Sequence, residues 1–241
     1  MQAYFYPYIG YFQLILAVDR FVLYPHVDYI QRGWMHRNRV LIKWGRVLYI
    51  KVLLQPGSTG GKARDVRVAT DLSWRRRLLR TIHHNYAGSA FFEETFPIVE
   101  GGILAQFEFL HDYNANSLRI LVDHLGIPTP IALDCAGSAE VEARLAAEPD
   151  LIDGVQRKTR RVFALCRNEG ADTYVNPIGG LGLYDPAAFE RNGLNLEFVR
   201  PRAAPYRQFS TEFVPYLSII DVLMHLGREG TRARLFAAPA S

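Results

Sequence analysis

Two short buried-type runs with one helix between them, at residues 1–24, constrain the fold more than any other feature. Residues 1–6 are apolar and aromatic, with Phe5 in the middle. Pro7 and Gly10 break that run, and Phe12, Ile15 and Leu16 then recur at helical spacing over residues 10–18. Residues 21–24 are a second apolar run. Strand, sharp turn, helix and strand make a unit whose two strands pair in parallel, with the helix packed across them.

The rest of the chain extends this pattern. Residues 40–44 and 47–54 read as a hairpin turning at Gly45-Arg46. A Gly-rich loop follows at 55–62, then a short strand at 67–69. The middle is helical: 74–86 behind a Ser73 cap, 91–110 with interruptions near Pro97 and Gly101-Gly102, and 116–125 stopped by Gly126. Strands are expected at 131–133, 173–175 and 195–199, and helices at 150–169, from Pro186, and from Ser218 to His225. The tail beyond Gly227 is expected to fray. The expected fold is therefore a Rossmann-like α/β domain over residues 1–241, mainly a parallel sheet flanked by helices, with a β-hairpin insertion and a helical middle segment. Residues 1–6 are its central strand.

Composition narrows the setting. Hydrophobic residues at 49% and charged residues at 22% are ordinary for a globular chain. No run of about 18 apolar residues exists, so no membrane span is expected. With no secretory pattern at the start and only Cys135 and Cys166, the expected setting is cytoplasmic, with buried free thiols. Those cysteines are unclustered, and no metal site is expected. The net charge of +4 rests mostly on arginine. No nucleic-acid motif accompanies it, so nucleic acid is not the expected partner, and a phosphate-bearing small molecule fits the charge equally well.

Four motifs carry a family resemblance. They are the opening segment through Tyr11, the run Arg32-Gly33-Trp34-Met35-His36-Arg37-Asn38-Arg39, the run from Tyr174 to Gly180, and the run from Leu217 to Met224. In this order they resemble the WbqC-like family over nearly the whole chain. The resemblance implies a role in bacterial surface-sugar or natural-product biosynthesis. The chain has Gln2-Ala3 where the family has Gln-Pro, Pro25-His26 for an acidic pair, Asp28-Tyr29 for Gln-Tyr, and His36 for Asn. The first turn also resembles that of nucleotidyltransferase and pantothenate-synthetase-type folds. Those carry His-x-Gly-His to hold ATP phosphates, and here Tyr8 and Tyr11 flank Gly10 instead.

The candidate site follows. Gln2, Tyr6, Tyr8, Gly10 and Tyr11 are expected at the carboxyl end of the first strand, Gln2 and Tyr11 balanced between pocket and core. Arg32, Arg37 and Arg39 with Trp34 offer anion clamps and a stacking ring. Asn176, Gly179 and Gly180 line a loop behind a strand, with Tyr184 nearby. His26 with Asp28 as its orienter, or His36, would take the proton of an attacking amine. The expected activity is transfer of an acyl or aminoacyl group, glycyl included, to an amino sugar or similar amine. The substrate is then a sugar or nucleotide-sugar, and the donor is activated either with ATP and Mg2+ or beforehand, as on an aminoacyl-tRNA. The alternative is a non-catalytic nucleotide- or sugar-binding module that partners another enzyme.

Overall fold

The computed structural model describes residues 1–237. Its helices are α1 (Ile9–Leu16), α2 (Ser73–Tyr86), α3 (Phe92–Leu104), α4 (Leu110–Leu125), α5 (Ser138–Ala147), α6 (Arg157–Asn168), α7 (Pro186–Arg191) and α8 (Ile219–Leu235). Its strands are β1 (Phe21–Val22), β2 (Arg37–Ile42), β3 (Arg46–Lys51), β4 (Ile131–Ala132), β5 (Leu151–Ile152), β6 (Val155–Gln156), β7 (Thr173–Pro177) and β8 (Asn195–Val199). Short 3-10 turns lie at Lys43–Gly45, Ala63–Asp65 and Ile178–Leu183. β1 pairs with β4 and β7 with β8 in parallel, while β2–β3 and β5–β6 are antiparallel hairpins. The chain is thus a mixed α/β fold of small sheets. Among the described residues no single parallel sheet joins them, which corrects the Rossmann-like expectation.

The reason lies in the first segment. Residues 1–6 are buried or half-buried but are not a strand. Met1 bonds as a strand would, its nitrogen to Val22 O at 2.7 Å and its carbonyl from Tyr24 N at 2.7 Å, and Phe5 N donates to Trp34 O at 3.2 Å. Side chains meet other carbonyls of the segment. Asn114 Nδ2 donates to Ala3 O at 2.9 Å, Asn38 Nδ2 to Phe5 O and Tyr6 O at 3.1 and 2.8 Å, and Ser218 Oγ to Tyr6 O at 2.7 Å. Those amides and that hydroxyl are buried, and an unpaired carbonyl there would cost about 1–3 kcal/mol. Tyr6 itself has φ 40, which ends the extended run before Pro7.

The main core packs α1, the hairpin, α2, α3, α4 and α8 around this segment. α3 passes through Pro97 and both glycines without the expected break. Gly102 is required there, because a Cβ would overlap Tyr6 Oη, which donates to Val99 O at 2.9 Å. α2 begins at Ser73, so Ser73 is its first residue rather than its cap, and Asp71 Oδ1 accepts the Ser73 N–H at 2.9 Å. A second cluster joins Phe163 and Cys166 of α6 to Phe189 of α7 and Leu194, with Tyr174 and Tyr184 packed on it.

Further segments differ from the sequence reading, and α4 starts at Leu110, six residues before its expected start at 116. Residues 150–156 form the β5–β6 hairpin in place of the first turns of a helix, because Asp153-Gly154 supplies two positive φ values, 50 and 74. α5, which the sequence reading left without an element, follows Gly137 in the left-handed region. α8 continues to Leu235 across a kink at Gly227, so most of the tail read as frayed is helical. Residues 238–241 lie outside the described residues.

α8 starts on a polar knot. Ser218 caps it, accepting from Ile220 N at 3.3 Å. Asp221, fully buried, takes Tyr86 Oη and Tyr206 Oη at 2.6 Å each, with Gln208 Nε2 and Leu41 N at 3.4 Å. Its carboxylate thus serves the core, rather than the N-cap N–H that a capping box would serve.

Burial is the largest influence on four histidines, His36, His111, His124 and His225, and holds each below the ordinary value of 6.5. They fold neutral, whereas the unfolded chain protonates them near that value. Just below 6.5 the unfolded state therefore binds more protons, and stability falls as pH falls; above it their contribution is complete. The urea midpoint should drop steadily between about pH 7 and pH 5. A flat midpoint over that window would contradict the burial of these rings.

Candidate functional site

Two polar constellations stand out. The first lies at the carboxyl ends of the parallel strands β1 and β4, where open α/β sheets gather ligands. His26 is buried there. Its Nε2 lies 2.7 Å from Asp134 Oδ2 and 2.8 Å from Ser138 Oγ, and Arg64 Nη1 approaches Nδ1 at 2.9 Å. The guanidinium is a donor only, so Nδ1 accepts and the ring proton sits on Nε2, shared by Asp134 and Ser138. Ser138 Oγ in turn donates to Asp134 Oδ2 at 2.8 Å. Every polar atom of the imidazole is engaged. Beside it, Tyr24 Oη donates to Glu142 Oε1 at 2.7 Å, and Arg161 grips the same carboxylate. Asp28 does not orient His26: it is exposed and pairs with Lys62 Nζ at 2.7 Å, and Asp134 takes its place. The cluster ties three loops together and leaves the imidazole no free lone pair for a base.

The second constellation is open. A groove of about 770 Å³ runs between β3 and α2. Leu48, Ile50, Val52, Trp74 and Leu78 give it apolar walls, Lys51 and Arg77 give it positive charge, and Gln31, Thr59 and Thr81 add neutral polar groups. That volume is typical of a small-molecule site. Thr59 belongs to the Gly-rich loop, which therefore borders the groove.

Tyr29 and His36 line the same groove, with Tyr29 Oη 2.6 Å from His36 Nδ1. Burial, then Arg37 and Lys51, hold His36 below its ordinary value, so it is neutral at pH 7. Burial pushes Tyr29 up to about 12 against the pull of Arg37. A neutral imidazole bonded to a neutral phenol can accept the phenolic proton while the phenol oxygen accepts another. A perturbed titratable pair inside a cleft is a functional-site signature.

The remaining candidates divide. Arg37 stacks on Tyr49 at 5.1 Å and donates to Gly33 O at 3.3 Å and to Arg32 O. Arg39 lies 5.6 Å over Trp34 and reaches Tyr216 O at 3.4 Å. Arg32 has an exposed side chain. Tyr184 packs on Tyr174 and Phe189 in the second cluster, and Asn176 folds its side-chain amide over Gly180, while the space beside Gly179 is open. The contacts of the arginine set thus run to Tyr49, Trp34 and loop carbonyls, and those of Tyr184 run within the second aromatic cluster.

The first turn is also filled. A Cβ on Gly10 would overlap the Tyr8 ring and sit 2.6 Å from Pro201 Cβ. Tyr11 is buried and donates to Gln2 O at 2.7 Å, and Tyr8 stacks edge-on against Tyr216 at 5.8 Å. These residues pack protein against protein.

Sequence reasoning passed over Lys51, Trp74, Arg77, Arg64, Asp134 and Ser138. The run from Asp134 to Ser138 was visible as a strand end, which marks where such residues gather. Nothing in sequence brings α2 beside β3. Both cysteines are free and buried, and burial pushes Cys135 up to about 12 and Cys166 to about 11.

The model of the WbqC-like protein family matches residues 2–233. The chain belongs to that family. An uncharacterized protein of Mycobacterium tuberculosis, Rv1507c, is 30% identical to it over 233 residues, covering 95% of this chain and 93% of that one. No solved structure matches it. In this WbqC-like chain no helix among the described residues is long and apolar enough to cross a membrane. Several residues of the family motifs meet in the interior: Asn38 and Ser218 share Tyr6 O, Ser218 N donates to Arg39 O at 2.8 Å, and Asp221 Oδ2 accepts from Leu41 N.

Proposed function

We propose that this WbqC-like chain is a biosynthetic enzyme of glycan or natural-product assembly. It transfers an acyl or aminoacyl group, glycyl included, to the amine of an amino sugar or similar acceptor. Family membership supports the biosynthetic setting. The observation that carries the chemistry is the Tyr29–His36 pair, 2.6 Å apart in a groove whose charged lining is cationic. As the acceptor nitrogen attacks the acyl carbonyl, its proton passes to Tyr29 Oη while the phenolic proton passes to His36 Nδ1. Lys51 and Arg77 favour the negative charge that develops on the carbonyl oxygen. Positioning in the groove supplies the remainder.

A pre-activated donor fits better than ATP with Mg2+, because Tyr8 and Pro201 fill the space beside Gly10 where the resembling ligases seat phosphate. The same filling favours the second reading, a binding module without chemistry.

Thermal melting with pairs of ligands separates these. An amino sugar and a pre-activated acyl donor should together raise the melting temperature beyond either alone, and amide product should appear by mass spectrometry. Stabilisation by a nucleotide-sugar with no product under any donor would leave the binding module. ATP with Mg2+ should bind no better than Mg2+ alone.

A further inference from the structure

We infer that the groove takes its acyl group from a thioester on a phosphopantetheine arm, held by strand-like pairing with the free edge of β3. The inference rests on the group-transfer reading above and names its donor.

The edge is defined by register. Val52 N donates to His36 O at 2.8 Å, so the even-numbered residues of β3 turn their N–H and C=O groups toward β2 and the odd-numbered ones outward. Residues 67–69 pair with the outward Leu53 O and Gln55 N: Ala69 N donates to Leu53 O at 2.8 Å and Gln55 N to Arg67 O at 2.9 Å. That segment then leaves the sheet for α2, which starts at Ser73. The outward groups of Tyr49 and Lys51 are left with no backbone partner among the described residues. The groove occupies this place, with β3 as one wall and α2 as the other.

Its occupant must match four features. The free edge calls for an extended chain carrying amides, the mode of strand addition. Apolar side chains on both walls suit a methylene-rich chain. Lys51 and Arg77, with no carboxylate in the lining, call for an anionic end. The Tyr29–His36 pair calls for an electrophile beside it. An acidic peptide meets the first three, but its amides are not activated. A phosphopantetheine thioester meets all four: two amides in an extended arm, a phosphate at one end and an acyl thioester at the other.

In the step, the acceptor nitrogen attacks the thioester carbonyl. The C–N bond forms, the C–S bond breaks and sulfur leaves with the electron pair. The amine proton moves to Tyr29 Oη and the phenolic proton to His36 Nδ1. The thiolate then recovers a proton from His36 back through Tyr29. Amide and free thiol are the products, with nothing oxidised or reduced.

Calorimetry on the full chain tests the inference, with pantetheine 4′-phosphate as the probe. It should bind, coenzyme A should bind at least as well, and adenosine 3′,5′-diphosphate should not. Lys51→Ala keeps the outward N–H and removes the charge, whereas Lys51→Pro removes both, at an edge position where proline is tolerated. The proline variant should lose about 10-fold more affinity than the alanine variant. In case Lys51→Pro does not fold, hydrogen exchange on the wild type is the second readout: the Tyr49 and Lys51 amides should become protected when pantetheine 4′-phosphate is added. Tighter binding of a holo carrier protein than of coenzyme A would identify the arm's source as protein-bound, and the reverse as free coenzyme. Absence of binding, or equal loss in both variants without amide protection, overturns the inference. So does binding of a Val-Glu repeat peptide in place of pantetheine 4′-phosphate. Tyr29-dependent amide formation from another donor, with no pantetheine binding, would sink the donor assignment alone and leave the transfer reading standing.

Discussion

Replacing Asp221 by alanine should lower the stability of this protein by about 3–5 kcal/mol, among the largest effects of any single substitution. The carboxylate is fully buried and is the common acceptor for Tyr86, Tyr206, Gln208 and Leu41. Alanine strands the phenol of Tyr86, itself fully buried, and half-strands that of Tyr206. Each buried hydroxyl left without an acceptor costs about 1–3 kcal/mol. The substitution also removes a negative charge from the first turn of α8, where the helix dipole favours one. For a chain of this size the melting temperature should fall by about 10 °C. Asp221→Asn, which keeps one oxygen acceptor and the shape, should lose less. Urea unfolding of both variants decides the matter. An alanine variant within about 0.5 kcal/mol of wild type would mean that the tyrosines find other partners.

Tyr29→Phe should reduce amide formation by about 10²–10⁴-fold while leaving the melting temperature nearly unchanged. Only one hydroxyl is lost, and it bonds to His36 in an open groove. His36→Gln should produce a loss of similar order, and combining the two should add little, because the pair moves one proton as a unit. The pH profile carries a further sign. His36 must be neutral to take the phenolic proton, and its value lies below the ordinary 6.5. The acid limb of the rate should therefore fall below that value, and activity should be level from there through neutrality. A rate that depends on neither residue would remove the groove from the chemistry.

The legible part of the fold was its local grammar. α1, the β2–β3 hairpin, the end of α4 at Gly126, and the β7–α7–β8 unit all follow from periodicity and turn residues, whereas the start of α4 at Leu110 did not. The first segment misled because aromatic content reads as a strand, whereas its carbonyls are met by Asn38, Asn114 and Ser218, which lie far along the chain. Nothing local to residues 1–6 announces those donors. The helix over 150–169 was overextended because helical periodicity downstream of Arg157 outweighed Asp153-Gly154, a two-residue hairpin signal. The site was legible in its titratable groups and illegible in its assembly. His26 and His36 were both visible, but that Arg64 and Asp134 immobilise one, while Tyr29 and a groove wall from α2 frame the other, depends on tertiary packing.

The carbonyl of Tyr6 has a consequence for how this protein comes into being. It is shared by Asn38, 32 residues on, and by Ser218, 212 residues on. A ribosome emits the chain from one end, so Asn38 can close on the first segment early, but Ser218 emerges only 212 residues after Tyr6. Contacts of such long sequence separation form slowly. Until α8 emerges, the aromatic opening stretch has no roof, and its rings are open to whatever else is nearby. The nascent polypeptide should therefore depend on a chaperone until that helix is out, and acquire protease resistance abruptly once it has docked.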